Sequence, residues 1–539
     1  LEKTVSLAAI VSCLLWRGVS AFSVRAFPVR ALSVRALSGR AFPRTTTTRT
    51  TKVTTRRMAE HVTQKRPLVL GITGGIAMGK SAMTEQLRTV FGIAVHDADA
   101  AVHRSYGPGG GAVAKVAEAF GESVLAPDKS IDRKKLSAAL QAKRDISQEE
   151  ATRAFALLES IVHPLVTRDR QEFIAQNSEK WLCAVDIPLL YETMPDPREH
   201  GVDKVLVVSC SSEEQRRRAL KRPNMSEDKL AAILKRQLSN DDRTSRADFL
   251  VDTSHADKAA AKHQLAQVIE RLYRVPDRRP SAEIRCVSLD LDDTLWPTKP
   301  AIEAVAATSA ELLPTLLPKT AEALNGENPY ACVIDRNHPR SLVKGDDARL
   351  AHDFTSLRRL ALRTRALEHG DPLENVETLV EAIVETRSRV AVENLLPCAL
   401  HVVDEIRSLP GNLTVGALTN GNARPKGHLA DSLDFWLGAP DVGAQKPSIA
   451  AFLAASARSD APLASIVHVG DSIRDDVLGA LHAGARAILV PRADGKKPTD
   501  DDVHQLLKDF DPRLWAVADS LQDVPAIISR WLQQEDDSS

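Results

Sequence analysis

No two of the six cysteines (Cys13, Cys183, Cys210, Cys286, Cys332, Cys398) form a C-x-x-C pair, and most lie in apolar runs. They read as reduced core thiols, with neither a zinc site nor a disulfide framework implied. An excess of one charge is also missing. The 71 Lys and Arg balance 71 Asp and Glu, and the pI is near 7.4, so no global field argues for a nucleic-acid partner. No apolar run reaches the roughly 18 to 20 residues that a membrane-spanning helix needs, so the mature form is expected to have no membrane segment. Aromatic residues are only 4%, against an ordinary 43% hydrophobic content. The 539 residues leave room for about three units, two of them with a full core. Small-molecule chemistry in a monomer is the expectation.

The first 60 residues lack the marks of a fold. Val5 to Trp16 is an apolar run that ends at Val19-Ser20-Ala21, a small-residue cleavage-like site. From Phe22 to Arg57 there is no acidic residue, while eight Arg and one Lys recur in a hydroxyl-rich tract. A signal shape followed directly by a transit shape resembles the bipartite presequence of algae with secondary plastids, which implies a plastid address. A disordered basic tail, or translation from Met58 giving a mitochondrial or cytoplasmic protein, are the alternatives.

What is there in strength is Leu68-Val69-Leu70-Gly71-Ile72-Thr73 running into Gly74-Gly75-Ile76-Ala77-Met78-Gly79-Lys80-Ser81. An apolar strand enters a G-x-x-x-x-G-K-[ST] loop and a helical pattern follows. Glycines let backbone N–H groups close around phosphate oxygens at the positive end of that helix. Gly74 to Ser81 are therefore expected to bind ATP, with Lys80 reaching the β- and γ-phosphates and the Ser81 hydroxyl on Mg²⁺.

Up to about Arg274, short apolar strands alternate with helices, as a parallel sheet covered on both faces requires. The strand candidates are Pro67–Thr73, Ile93–His96, Trp181–Asp186, Lys204–Ser209 and Phe249–Asp252. After the second comes Asp97-Ala98-Asp99, carboxylates suited to taking an acceptor hydroxyl's proton and to ordering Mg²⁺ through water. Arg216, Arg217, Arg218, Lys221 and Arg222 crowd one helical segment, and planar guanidinium forks suit phosphate oxygens. A solvated basic face accounts for about two of these five.

Residues 67 to 274 resemble the dephospho-coenzyme A kinases. The pieces that carry the resemblance are Thr73-Gly74-Gly75-Ile76, Asp97-Ala98-Asp99, Phe120-Gly121 with Ile131-Asp132-Arg133-Lys134-Lys135-Leu136, Leu158 to Pro164, Asp186 to Glu192, and Gln215 to Gln237 leading to Ala247-Asp248. The resemblance implies Asp99 as general base and Lys80 and Ser81 as phosphate and Mg²⁺ contacts. It also implies Arg218 and Arg222 as lid arginines over ATP, with Arg236 and Gln237 on the lid's returning helix. Asp97, His163 and the Asp186–Glu192 stretch fall in the acceptor region, with dephospho-coenzyme A as substrate. Ala77 departs from the family, which usually has a further glycine there. If that position needs a positive φ, the cost is about 1 kcal/mol.

Residues 275 to 283 hold Pro276, Pro280 and four charges, a linker that suggests separable domains. A new strand then ends in Asp290-Leu291-Asp292-Asp293-Thr294. In this D-x-D-x-T pattern one aspartate can attack phosphorus while the second, two residues on, protonates the leaving oxygen. Three later pieces add weight. Val415 to Gly421 ends a strand in the Thr419 hydroxyl and Asn420 amide, Gln445-Lys446-Pro447 supplies a cation, and Ile466 to Asp476 ends a strand in acidic Mg²⁺ ligands.

In that order they resemble haloacid dehalogenase-like phosphohydrolases over about 284 to 495. Carried over, Asp290 is the nucleophile and Asp292 the acid/base. Thr419, Asn420 and Lys446 contact phosphate, and Asp290, Asp292, Asp471 and Asp476 hold Mg²⁺. Helical patterns at Leu357–His369, Val376–Val390 and Leu400–Ser408 look like an inserted cap, spanning about 297 to 412. Thr419 to Pro425 is similar to the branch acting on flavin mononucleotide.

The expected chain is α/β throughout. A presequence (1–60) precedes a P-loop kinase parallel sheet (66–274), a linker (275–283), a second Rossmann-like α/β hydrolase domain with a helical cap (284–530) and a tail (531–539). Its cofactors would be ATP and Mg²⁺, and its substrates dephospho-coenzyme A and a phosphorylated metabolite. The competing reading keeps the kinase and makes the second domain a non-catalytic binding or regulatory unit.

Overall fold

The computed structural model describes residues 66–235, 237–274, 283–325 and 350–536. The presequence, Arg236, most of the linker, part of the cap insertion and the last three residues lie outside that range.

The first sheet is five-stranded in the order β2-β3-β1-β4-β5, built from β1 Leu68–Thr73, β2 Ala94–Asp97, β3 Leu182–Asp186, β4 Lys204–Ser209 and β5 Phe249–Asp252. β1 and β3 are almost wholly buried, as near-continuous Val, Leu and Ala require of strands covered on both faces. β1 pairs with β4 in parallel, Ile72 opposite Leu206, and β4 pairs with β5.

By contacts the described residues divide into two compact units, those up to 68 with 96–183, and those of 69–95 with 184 onward. In the first, four helices (Ala98–Tyr106, Val113–Phe120, Arg133–Ile146, Gln148–Gln176) enclose Tyr106, Val116, Ile131, Leu136, Phe155 and Leu158. The sequence sets their ends. Asp132 accepts from the Lys134 and Lys135 amides, and Ser147 caps the long helix through Glu150 N. Part of the Ile131–Leu136 motif is thus helix-capping chemistry.

The second unit holds the loop-bearing part of the first sheet and the whole second half. Its six-stranded sheet runs β11-β10-β9-β6-β7-β8, with β6 Cys286–Leu289, β7 Thr414–Thr419, β8 Phe435–Gly438, β9 Ile466–Gly470, β10 Arg486–Leu489 and β11 Trp515–Val517. β6 lies between β7 and β9 and is parallel to both, with Leu289 opposite Ala417 and Val469. The carboxyl ends of three strands therefore converge, the place where open α/β sheets build sites.

The cap comprises Thr298–Leu316, Pro318–Leu324, Phe354–His369 and Leu373–Glu393, closed over Val305, Leu313, Leu362, Val376, Leu379 and Ile383. Its extent differs from the expected 297–412. Helix Ala399–Arg407 packs Ala399, Val402, Val403 and Ile406 into the main hydrolase core, because its apolar stripe continues the layer under β6 and β7. The sequence pattern also missed the first two cap helices, Thr298–Leu316 and Pro318–Leu324.

The two halves, expected to be separable, touch each other through the last helix of the kinase half. Helix Lys258–Leu272, after β5, buries Ala259 and Ala260 against Leu350 and Leu357. Its Lys262 Nζ donates to Pro440 O at 3.2 Å, His263 Nδ1 lies 2.8 Å from Gly443 O, and Glu270 accepts from Ser448 Oγ at 3.1 Å. Gln86, on the helix that follows the phosphate loop, donates to Asp441 O at 3.0 Å. Among the described residues no helix is long and apolar enough to cross a membrane.

Candidate active sites

The loop Gly74–Gly79 connects β1 to helix Lys80–Thr89. Gly74 allows a close approach, since a Cβ there would sit 2.4 Å from Val208 O. Ala77 does adopt the left-handed conformation, φ 60°, so the strain expected for a non-glycine residue is present. Two glutamines pin the Ile76 peptide, Gln215 donating to its oxygen at 2.9 Å and Gln237 accepting from its N–H at 3.2 Å.

Lys80 at the loop's end pairs with Asp186, the last residue of β3, whose other oxygen accepts from Thr84 Oγ1 at 3.2 Å. Asp186 was placed only in the acceptor region by resemblance. The structure makes it the partner of the phosphate-loop lysine, and its position at a strand end beside the loop was the available signal.

Of the basic run, Arg216 binds Glu227 and Arg217 binds Glu214, so these two form the solvated face. Arg218 is fixed differently. Its Nη1 and Nη2 donate to Thr253 Oγ1 (2.8 Å) and O (2.6 Å), and Thr253 Oγ1 in turn donates to Met78 O at 2.9 Å. The arginine is thereby tied to the loop through a threonine the sequence did not single out. Arg222 is exposed, with no side-chain hydrogen bond among the described residues. Ser81 is exposed on the first helical turn.

In the other unit, Asp97 caps helix Ala98–Tyr106 by accepting from Ala100 N, and Asp99 stands in its first turn. His163 is exposed on the long helix, one residue before Pro164.

The second site assembles where β6, β7 and β9 end. Lys446 Nζ lies 2.6 Å from both Asp290 Oδ1 and Asp476 Oδ1. Asp476 Oδ1 also meets His468 Nε2 at 3.1 Å, while His468 Nδ1 bonds Ser288 Oγ at 2.8 Å. Asp290, Asp471 and Asp476 offer carboxylate oxygens that all lie within 4.8 Å of one another, a donor set for a hard divalent cation. Thr294 Oγ1 lies 3.3 Å from both Asp290 and Asp471, and Arg492 lies 3.4 Å from Asp471.

Electrostatics follow burial. Desolvation pushes Asp290 well above the usual carboxylate range against the pull of Lys446. Asp471 rises to about 6, through burial and then repulsion by Asp476. Burial raises Asp476 too, but Lys446 and His468 outweigh it and hold the group low. Lys446 stays cationic because its two carboxylates overcome its own desolvation. His468 is pushed down by burial and then by Lys446.

One expected role changes. Asp292 does not join the metal carboxylates, because Trp296 Nε1 and Arg387 Nη2 each hold one of its oxygens at 2.9 Å. Asn420, expected to contact phosphate, is turned toward the Lys446 backbone. Its Nδ2 donates to Lys446 O (3.0 Å) and its Oδ1 accepts from Lys446 N (2.7 Å), so it positions the lysine's backbone. Thr419 Oγ1 accepts from Gly421 N at 3.0 Å, which leaves its O–H to donate. Ser288 and Arg387 were not singled out from sequence, Thr294 entered only as the last position of the D-x-D-x-T pattern, and His468 only within the Ile466–Asp476 strand end.

Comparison with known proteins divides the chain between the two sites. Residues 68–258 match the family described as dephospho-CoA kinase, and residues 284–484 match haloacid dehalogenase-like hydrolase. A dephospho-CoA kinase of Rhodopseudomonas palustris (strain HaA2) is 41% identical over 215 residues, 40% of this chain and 100% of that protein. One from Rhizobium meliloti (strain 1021) is 42% identical over 189 residues, 35% of this chain and 89% of that protein. The crystal structure of a 2-haloacid dehalogenase from Pseudomonas syringae pv. Tomato DC3000 is 30% identical, with a TM-score of 0.38, covering 46% of this chain and 99% of its own. The chain thus belongs to the dephospho-CoA kinase family, with a haloacid dehalogenase-like hydrolase domain fused behind the kinase.

Proposed function

We propose that the chain runs two phosphoryl transfers, phosphorylation of the 3′-hydroxyl of dephospho-coenzyme A by ATP and hydrolysis of a phosphate monoester. In the first, the 3′-oxygen forms a bond to the γ-phosphorus as the bond to ADP breaks, and Asp99 takes the hydroxyl proton. Lys80, Arg218 and Arg222 stabilise the charge spreading over the transferred group, and Gly74 to Gly79 supply backbone donors. Family membership and the loop with its lysine support this reading.

In the second, Asp290 attacks phosphorus, the bond to the leaving oxygen breaks, and Asp292 gives that oxygen a proton. Asp292 then draws a proton from the water that hydrolyses the aspartyl-phosphate. Lys446 and the Thr419 hydroxyl hold the phosphoryl oxygens. Mg²⁺ on Asp290 and Asp471, beside Asp476, would neutralise charge on the transferred group. The observation that carries this reading is the buried Asp290–Lys446–Asp476 bridge facing Asp471, a set a mere binding module has no need to bury.

Flavin mononucleotide is the proposed substrate, supported by the Thr419–Pro425 resemblance. Plastid delivery is proposed from the presequence pattern and is tested by where a fluorescent fusion of residues 1–66 localises.

The test uses the full chain. With ATP, Mg²⁺ and dephospho-coenzyme A, product mass should rise by one phosphate. With Mg²⁺ and a panel of metabolite phosphates including flavin mononucleotide, inorganic phosphate should appear and beryllium fluoride should suppress it. Release that is indifferent to both Mg²⁺ and beryllium fluoride would refute the aspartyl-phosphate route.

A further inference from the structure

Arg387 belongs to the cap helix Leu373–Glu393, yet its guanidinium meets the core, Nη2 donating to Asp292 Oδ2 at 2.9 Å. Its side chain is 9% exposed, and its Nε–H is buried with no hydrogen-bond partner among the described residues. A buried charged donor is costly to leave unmade, and an acceptor on a ligand beside Asp292 would recover that bond.

Cap docking does not account for it. Arg424 N donates to Ser388 Oγ at 3.1 Å, Asn422 Nδ2 donates to Thr355 Oγ1 at 2.6 Å, and Lys426 pairs with Glu385. The Asn422–Lys426 stretch thus already fastens the cap to the core. Asp292 abuts the loop that holds the phosphoryl group, since a Cβ on Gly421 would lie 2.0 Å from its Oδ2. An acid/base serves the ester oxygen, so a guanidinium bonded to Asp292 reaches the first atoms of the leaving group beyond that oxygen.

We propose that Arg387 is a specificity residue of the hydrolase site, selecting phosphate monoesters with an oxygen acceptor, hydroxyl or carboxylate, on the carbon beside the ester carbon. This rests on the phosphatase reading. Flavin mononucleotide meets the requirement through the ribityl hydroxyl next to its phosphate-bearing carbon.

The experiment compares kcat/KM of the full chain with Mg²⁺ for propyl phosphate (no acceptor), glycerol 1-phosphate (hydroxyl) and 2-phosphoglycolate (carboxylate). Wild type should prefer at least one acceptor-bearing substrate over propyl phosphate by about tenfold or more, and Arg387→Met should bring that ratio to within about twofold. Arg387→Lys should retain part of the preference, and it carries the test if the methionine variant melts early. Ser388→Ala, which loosens a cap contact without reaching the leaving group, should keep the wild-type ratio. An unchanged ratio in Arg387→Met, with all rates falling together, makes Arg387 a strut and overturns the proposal. A wild type with no preference overturns it as well.

If wild type releases phosphate from none of the three and from flavin mononucleotide neither, the phosphatase reading falls by itself. The preference is then read as binding by calorimetry, where equal affinities in wild type and Arg387→Met would overturn the assignment independently.

Discussion

Replacing Lys446 by Met tests the electrostatic centre of the hydrolase site. Its Nζ is the cation 2.6 Å from both Asp290 and Asp476, and the lysine is only 3% exposed. Methionine keeps much of the volume and removes the charge. Two buried carboxylates then face each other, and breaking a buried pair from one side costs about 3 to 5 kcal/mol. At roughly 2 to 4 °C per kcal/mol for a domain of this size, the hydrolase half should melt about 6 to 20 °C lower.

The sign with pH follows. Without Lys446, Asp290 and Asp476 have raised folded-state pKa values, so the folded state binds more protons than the unfolded one. The loss should therefore be largest at pH 8 and shrink toward pH 5. Mg²⁺ should restore part of it by taking over neutralisation at Asp290 and Asp471, and Asp476→Asn in the same chain should restore another part. Calorimetric melts at pH 5 and 8, with and without Mg²⁺, read all of this. A Lys446→Met protein that melts with wild type at pH 8 without Mg²⁺, or that loses more at pH 5, would refute the reasoning.

Other outcomes follow from single contacts. Ala77→Gly relieves about 1 kcal/mol of left-handed strain but gives up a buried methyl worth about 0.8 kcal/mol and frees the unfolded chain. Its melting temperature should stay within a few degrees of wild type, and a clear rise would show that strain outweighs burial. Asp186→Asn and Asp99→Ala should each lower the kinase kcat by about 10²-fold or more while phosphate release from monoesters continues, followed by product mass and free phosphate in one preparation. Asp471 titrates near 6 in the folded chain, above its unfolded value of about 3.9. Without Mg²⁺ the hydrolase half should therefore lose stability as pH rises from about 4 to 6, and Mg²⁺ should raise its melting temperature more at pH 7 than at pH 5.

Much of this was legible because its causes are local. A glycine loop between a strand and a helix, an aspartate pair closing an apolar run, and a Gly470-Asp471 strand end each announce themselves within ten residues. β4 and β5 coincide with apolar runs bounded by charge and turn residues. What stayed hidden depends on partners far along the chain. Asn420 read only as a phosphate contact, and its two bonds to the Lys446 backbone, 26 positions away, come from the fold. Arg387 is one arginine on a charged amphipathic helix, and only folding brings it to Asp292, 95 positions earlier. Helix Lys258–Leu272 reads as one more sheet-covering helix, and its second apolar face acquires a meaning only when Leu350 and Leu357 are laid against it. The Pro-containing linker suggested separable domains, but composition does not reveal which surfaces meet beyond it.

One preparation of the full chain with Asp290→Asn tests the central claim, that the same polypeptide carries a kinase and a separate aspartate-dependent phosphatase. Dephospho-coenzyme A turnover and phosphate release from the monoester panel are measured side by side with wild type. The account predicts wild-type kinase rates in both proteins and phosphate release in wild type alone. Release that survives in Asp290→Asn, or kinase turnover that falls with it, would contradict the account.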